Sequence, residues 1–204
     1  ALPISAKVSV PVAIHLDHGD SFERCMEMLK LGFTSIMFDG SALPVEENAA
    51  ATEAVARVCR SFGVPLEAEI GELCRLDDKG NKMGASNIAD PDVVRQYLKL
   101  CHPDSLAIGI GNAHGFYNGP VDIRAEVLEE CRKFTDIPFV LHGCTGMDEE
   151  LVKRSIDSGV TKINFGTQVR CQYVNYLKEG LAEGKDQGHA WRLSQYAELR
   201  LRED

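Results

Sequence analysis

Apolar positions along this chain fall into two recurring periods. At helical spacing, Phe22, Cys25, Met26 and Leu29 share one face, Ala51, Val55, Val58 and Phe62 another, and Val94, Tyr97, Leu98 and Cys101 a third. Between these stretches lie short runs rich in Val and Ile, at about residues 8–14, 34–38, 64–70, 105–111, 137–142 and 160–165. Such runs predict strands covered on both faces. One junction recurs, a helix ending in Gly with a strand following at once: Leu31-Gly32-Phe33-Thr34-Ser35-Ile36, Phe62-Gly63-Val64-Pro65-Leu66 and Ser158-Gly159-Val160-Thr161-Lys162-Ile163. Glycine supplies the left-handed residue that closes a helix. Asp90 before Pro91 reads as a cap and a first helical residue. Strands alternating with helices predict a parallel α/β sheet, either a barrel or doubly wound. Residues 71–90 break the rhythm with a long polar segment, which predicts a mobile loop acting as a lid.

Composition narrows the class. The 204 residues are 44% hydrophobic and 26% charged, which suits one globular domain and excludes disorder, collagen and coiled coil. No run approaches the ~18 apolar residues of a membrane span, so no membrane partner is expected. Thirty-one acidic residues against 22 basic ones exclude nucleic acid as the main partner. An anionic ligand must therefore be met locally, by backbone amides or a few placed cations. The seven cysteines, Cys25, Cys59, Cys74, Cys101, Cys131, Cys144 and Cys171, are odd in number and include no C-x-x-C. This predicts reduced thiols and a cytoplasmic protein rather than a disulfide frame or zinc ribbon. Secretion has no support, since no charged-then-apolar leader is present. Cys25, Cys59, Cys101 and Cys131 are expected on apolar helix faces, as small hydrophobes.

Candidate chemistry concentrates where strands end. The first runs into His15-Leu16-Asp17-His18 and the second ends at Asp39-Gly40. The third ends at Glu67-Ala68-Glu69, the fourth at Gly111-Asn112-Ala113-His114-Gly115. The last two end at His142-Gly143-Cys144-Thr145-Gly146 and Asn164-Phe165-Gly166-Thr167. In parallel α/β folds the carboxyl ends of strands build the active site. His18, His114 and His142 come from three strands, and three imidazoles with an open position make a catalytic zinc pattern. Asp39 and Glu69 suit either a second cation position or partners that orient the histidines. The two Gly-rich turns, one opening a helix near Asp148 and the other the next helix, predict a phosphate cradle of backbone amides and helix N-termini.

These motifs resemble the class II, metal-dependent ketose-bisphosphate aldolases, the fructose- and tagatose-bisphosphate group. The resemblance is carried by Val-Pro-Val-Ala-Ile-His-Leu-Asp-His-Gly at 10–19, Thr-Ser-Ile-Met-Phe-Asp-Gly-Ser at 34–41 and Glu-Ala-Glu-Ile-Gly at 67–71. Gly-Asn-Ala-His-Gly at 111–115, Val-Leu-His-Gly at 140–143 and Lys-Ile-Asn at 162–164 follow in the family's order. It implies a TIM barrel, with catalytic Zn²⁺ on His18, His114 and His142 and with Asp17 as the proton-transferring acid/base. It also implies Asp39 and Glu69 at an alternate or second site for a divalent or monovalent cation. Gly115, Gly143, Cys144, Thr145, Asn164, Phe165, Gly166 and Thr167 would surround the dihydroxyacetone phosphate half of a phosphorylated ketose, and 71–90 corresponds to the family's mobile loop. The chain starts at what looks like the family's third strand, so about six of eight βα units are expected. Without the first two strands, two exposed edges and an exposed part of the core predict instability or aggregation, and a homo-oligomer, a dimer or higher, is expected. Two departures stand out: Cys144-Thr145 replaces a small residue followed by Ser, and Gly166 replaces the Asp of fructose-type members, as in tagatose-type ones. A barrel that binds a sugar phosphate or a partner subunit without catalysis is one alternative. A related metal aldolase acting on another phospho-sugar is a second.

Overall fold

Three helices begin where the sequence supplies a side-chain acceptor. Ser21 accepts from the Arg24 amide at the start of α1 (Phe22–Lys30), and Asp90 from the Asp92 amide at the start of α3 (Pro91–Leu100). Asp148 does the same for the Glu150 and Leu151 amides of α5 (Glu149–Asp157). Gly63, at φ 66°, closes α2 (Val45–Phe62) in the left-handed conformation that the helix-to-strand junction requires. The remaining helices are α4 (Glu126–Arg132), α6 (Thr167–Ala182) and α7 (Ala190–Glu203), the last packed along α6. The computed structural model describes residues 7–71, 74–76, 82–83, 88–115 and 123–203.

Six parallel strands lie side by side in chain order: β1 (His15–Gly19), β2 (Ser35–Phe38), β3 (Leu66–Ile70), β6 (Ser105–Ile108), β8 (Phe139–Leu141) and β9 (Val160–Ile163). Laid flat, five steps of about 4.8 Å would hold the outer strands some 24 Å apart. Instead Lys162 Nζ on β9 is 3.0 Å from His15 Nε2 on β1, and Asn164 Nδ2 just beyond β9 is 3.2 Å from Asp17 Oδ1. The sheet is therefore curled into a half-barrel, which decides between the two architectures left open by the sequence.

Strand alternation assigns the two faces of this half-barrel. On β3 every residue is buried, but Leu66, Ala68 and Ile70 pack outward among the helices while Glu67 and Glu69 occupy the opposite face. The larger apolar cluster joins β3, β6 and β8 to α3 and α4, and a second joins β2 to α1 and α2. Cys25, Cys59, Cys101 and Cys131 are fully buried in these clusters, as their helical positions predicted. Phe22 and Phe62 are not; both end up exposed.

Other boundaries shift as well. The first strand was expected at 8–14, but ladder pairing with β2 covers His15 to Gly19, while Val8, Val10 and Val12 are exposed. Apolar alternation cannot make a strand without a neighbour to bond, and Pro11 withholds a donor. Asp17 and His18 thus sit within the strand, where the register shifts between Leu16 and Gly19 and His18 adopts φ 53°. An irregular strand with a non-glycine residue in the left-handed region is a common device for re-aiming a side chain beside an active site. Three short strands escaped the sequence reading: β4 (Cys74–Leu76), β5 (Lys82–Met83) and β7 (Ala113–His114) form a small sheet in the order β5-β4-β7. Two of these lie inside the 71–90 segment, whose other residues up to 87 fall, apart from Gly71, outside the described residues.

Candidate active site

The half-barrel brings three histidines together. Ring centroids of His18 and His114 are 5.1 Å apart, those of His18 and His142 4.9 Å, and those of His114 and His142 6.1 Å, each pair edge-on. One ring nitrogen from each lies within 4.8 Å of the others. Two of the rings are aimed by carboxylates. His18 Nδ1 donates to Asp39 Oδ2 at 2.7 Å, and His142 Nε2 donates to Glu67 Oε1 at 2.8 Å. The nitrogens turned away from these carboxylates are His18 Nε2 and His142 Nδ1, the latter 3.3 Å from the Asn164 side-chain amide, and these are the ones that would face a metal. His18 Nε2 is buried with no hydrogen-bond partner among the described residues. A buried nitrogen lone pair left unsatisfied is costly, and a divalent cation at that point would satisfy it. The donor set therefore fits zinc.

Charge follows the same geometry. Burial opposes protonation of His18, but the hydrogen bond and negative charge of Asp39 outweigh it and raise the imidazole pKa. For Asp39, burial favours the neutral acid, yet hydrogen bonds from His18 and from the Ser41 hydroxyl and amide hold it at about 2. Asp39 and Glu69 also form a second possible ligand group with His18, around its Nδ1 side. In the structure Asp39 holds that nitrogen directly, so its position suits an orienting partner. Asp17 stands at the mouth, its Oδ1 4.0 Å from His142 Nδ1 and hydrogen-bonded by Asn164.

Beside the histidines opens a cavity of about 370 Å³. Asp17, His114, Gly115, Gly143, Thr145, Asn164, Phe165, Gly166 and Thr167 all line it. Cys144 does not. Its side chain turns into the apolar core, where Sγ donates to the Leu141 carbonyl and burial pushes the thiol pKa up to about 12. Alternate residues of the turn point opposite ways, so a neighbour of two lining residues faces inward. The phosphate cradle is also narrower than the sequence implied. Asp148 already occupies the first amides of α5, whereas Gly166 gives α6 no side-chain cap. Thr145 Oγ1 accepts from the Gln168 amide and ties the two turns together.

Gly143 is indispensable to this packing. At φ 65°, a Cβ there would fall on the Ala113 carbonyl, next to His114. Gly146, at φ 76°, has open space around it. Gly146→Ala is expected to cost about 1 kcal/mol of backbone strain, and Gly143→Ala a further 1–3 kcal/mol because β7 must move. Thermal melting of the two variants measures the difference; equal melting temperatures would refute it.

Five residues to which the sequence assigned no individual role also stand at the site. Glu67, 2% exposed, holds His142 and also accepts from Lys162 Nζ at 2.6 Å. Burial favours its neutral form, but the His142 hydrogen bond and the Lys162 charge hold its pKa below the usual range. Lys162 Nζ donates in turn to His15 Nε2, whose Nδ1 pairs with Ser35 Oγ at 2.8 Å. Burial first, then the Lys162 charge, lowers the His15 pKa. Buried Asn112 donates to the His142 carbonyl at 2.8 Å, and Arg170 lines the cavity. The available signal was parity: Glu67 is two residues before Glu69, and Lys162 two before Asn164, so each pair shares a face.

The family model for fructose-bisphosphate aldolase class II matches residues 2–201. This chain belongs to that family. A probable fructose-bisphosphate aldolase of Bacillus subtilis is 40% identical over 187 residues, which are 92% of this chain and 65% of that protein. A 6-phospho-5-dehydro-2-deoxy-D-gluconate aldolase of Bacillus velezensis is 39% identical over 91% of this chain and 63% of its own length. The chain thus spans just under two thirds of the length of these curated relatives. The crystal structure of the YdjI aldolase from Escherichia coli K12 superposes with a TM-score of 0.79 at 28% identity, covering 98% of this chain and 68% of that one. The likeness supports reading the curled six-stranded sheet as part of a TIM-type barrel. Among the described residues, no helix is long and apolar enough to cross a membrane.

Proposed function

We propose that this chain carries the zinc and phosphate half of an aldolase that reversibly cleaves a phosphorylated ketose to dihydroxyacetone phosphate and an aldehyde. The observation that carries the reading is the convergence of His18, His114 and His142, with His18 Nε2 buried and, among the described residues, unpartnered. Zinc bound there would supply Lewis-acid polarisation of the substrate ketone while the carbon–carbon bond breaks. Asp17, exposed at the mouth and steadied by Asn164, accepts the hydroxyl proton of the departing aldehyde half and returns it in the reverse direction. Glu67 and Asp39 keep the imidazoles aimed, and Glu69 adds a carboxylate on the far side of His18, where a second cation would sit. Gly143, Thr145 and the start of α6 hold the phosphate and so place the reacting carbons.

The relatives name more than one phosphorylated substrate, so the ketose class is assigned here and the individual sugar is for a substrate panel to choose. The test is metal analysis together with an aldol-cleavage assay, on this chain and on one extended at its N-terminus. Near-stoichiometric zinc with turnover on a ketose phosphate supports the reading. Intact zinc without turnover in either form would favour a non-catalytic sugar-phosphate binder. The edges of β1 and β9, unpaired among the described residues, suit a homo-oligomer, which sedimentation of the same samples would reveal.

A further inference from the structure

A line of five polar side chains crosses the inner face of the half-barrel: Ser35 on β2, His15 on β1, Lys162 on β9, Glu67 on β3 and His142 just after β8. Successive polar atoms are 2.8, 3.0, 2.6 and 2.8 Å apart. A histidine can carry its proton on either ring nitrogen, and a serine can donate or accept, so these members give the line no direction of their own. Lys162 does. An ammonium has three donors and no acceptor. Its contact with His15 makes Nε2 the accepting nitrogen, which leaves the proton on Nδ1, donated to Ser35 Oγ. On its other side it makes Glu67 Oε2 an acceptor. A carboxylate so engaged has only acceptors to offer, and Glu67 Oε1 meets His142 Nε2, which must then carry the proton. The bare nitrogen of His142 is therefore Nδ1. A separate contact asks for the same arrangement. The Asn164 side-chain N–H group lies 3.3 Å from His142 Nδ1 and 3.4 Å from Nε2, and with Nε2 already donating to Glu67 only Nδ1 can accept from it.

We infer that Lys162 is a positioning residue that sets the tautomers of both rings, keeping His142 bare at Nδ1 and His15 protonated at Nδ1. On His142 it acts through Glu67. The consequence for a metal is direct, since a ligating imidazole must present a nitrogen without a proton and its second-shell partner fixes which one that is. Only this use of Nδ1 as a metal ligand rests on the aldolase reading; the tautomers themselves belong to the metal-free chain.

The test uses the whole chain, metal-free and labelled with nitrogen-15 at histidine, unaltered and as K162Q, K162M and K162R. Long-range proton–nitrogen correlation spectra tell a protonated ring nitrogen from a bare one, and are recorded at about pH 8.5, above the ordinary imidazole value of about 6.5. The unaltered chain is expected to show His142 protonated at Nε2 alone and His15 at Nδ1 alone. K162Q and K162M lack the donor-only end and turn both rings into mixtures of tautomers. The His18 signals, governed by Asp39, stay in place. K162R keeps both patterns, because a guanidinium also only donates. Competition with a chelator, on folded protein below its melting transition, reads the effect on zinc: roughly 10–100-fold weaker binding for K162Q and K162M, and within about threefold of the unaltered chain for K162R. His142 protonated at Nδ1, or His15 at Nε2, in the unaltered chain would overturn the inference without any variant having to fold. So would unchanged ring patterns in folded K162Q and K162M, which would reduce the ammonium to a stabilising ion pair. K162R behaving like K162Q, or His18 changing along with the other two rings, has the same meaning. The assigned tautomers and their loss in K162Q, in a protein that holds no zinc or cleaves no ketose, uphold the inference and remove the aldolase reading. Zinc-dependent turnover with unchanged tautomers in K162Q does the reverse.

Discussion

His114→Ala is expected to lose stoichiometric zinc and to cut ketose cleavage at least a thousandfold. The nitrogens proposed as ligands come from β1, β7 and the end of β8, all within 4.8 Å of one another, so losing one would break a three-point hold. Lewis-acid stabilisation by a bound cation is worth several kcal/mol, and each ~1.4 kcal/mol is a factor of ten in rate. The control is His102→Ala. His102 is exposed, pairs with Glu53 on the outer surface and should leave zinc content unchanged. Zinc per chain after dialysis and the cleavage rate are read together. Retention of both in the His114 variant would remove the metal site from this account.

The second large effect is on stability. Lys162→Met leaves Glu67 buried with one hydrogen bond from His142, the His15 ring 3.8 Å away and no ammonium beside it. Removing one partner of a fully buried pair costs about 3 kcal/mol or more; with the Lys162 side chain 36% exposed, solvent screening reduces this to about 2 kcal/mol, which for a chain of this size lowers the melting temperature by roughly 4–8 °C. Lys153→Ala, by contrast, removes only surface ion pairs with Glu149 and Glu150 and should cost under about 1 kcal/mol. The pH dependence has a definite sign. Glu67 is held below the ordinary carboxylate range, so its contribution is complete above the unfolded value of about 4.3 and is lost as pH falls through the lower folded value. Protonated Glu67 no longer needs the ammonium, and the gap between the unaltered chain and the variant should narrow in acid. Melting curves recorded against pH measure it; a gap that is small at neutral pH or widens in acid contradicts the role given to Lys162.

Much of the candidate site was legible because strand ends in a parallel sheet all point the same way. His18, His114 and His142 could be picked out by that rule alone, and so could the turn residues around the cavity. Cys144 could not, since the direction of one side chain within a tight turn depends on the φ of its neighbours. Nor could the α5 terminus, where Asp148 consumes amides that the Gly-rich turn seemed to offer a ligand. Glu67 and Lys162 lie far apart in the chain and become partners only through curvature of the sheet.

Local patterning by itself determined the parallel α/β class, the helix-to-strand junctions at Gly32, Gly63 and Gly159, the Asp90 cap and the burial of four helix cysteines. Each of these depends on a few consecutive residues, whose backbone preferences and apolar spacing act at short range. Only the tertiary structure decided that the sheet curls, that pairing starts at His15, that Glu67 serves both His142 and Lys162, and that Arg170 lines the cavity. Those outcomes belong to distances between side chains on different strands, which twist and register set for the sheet as a whole.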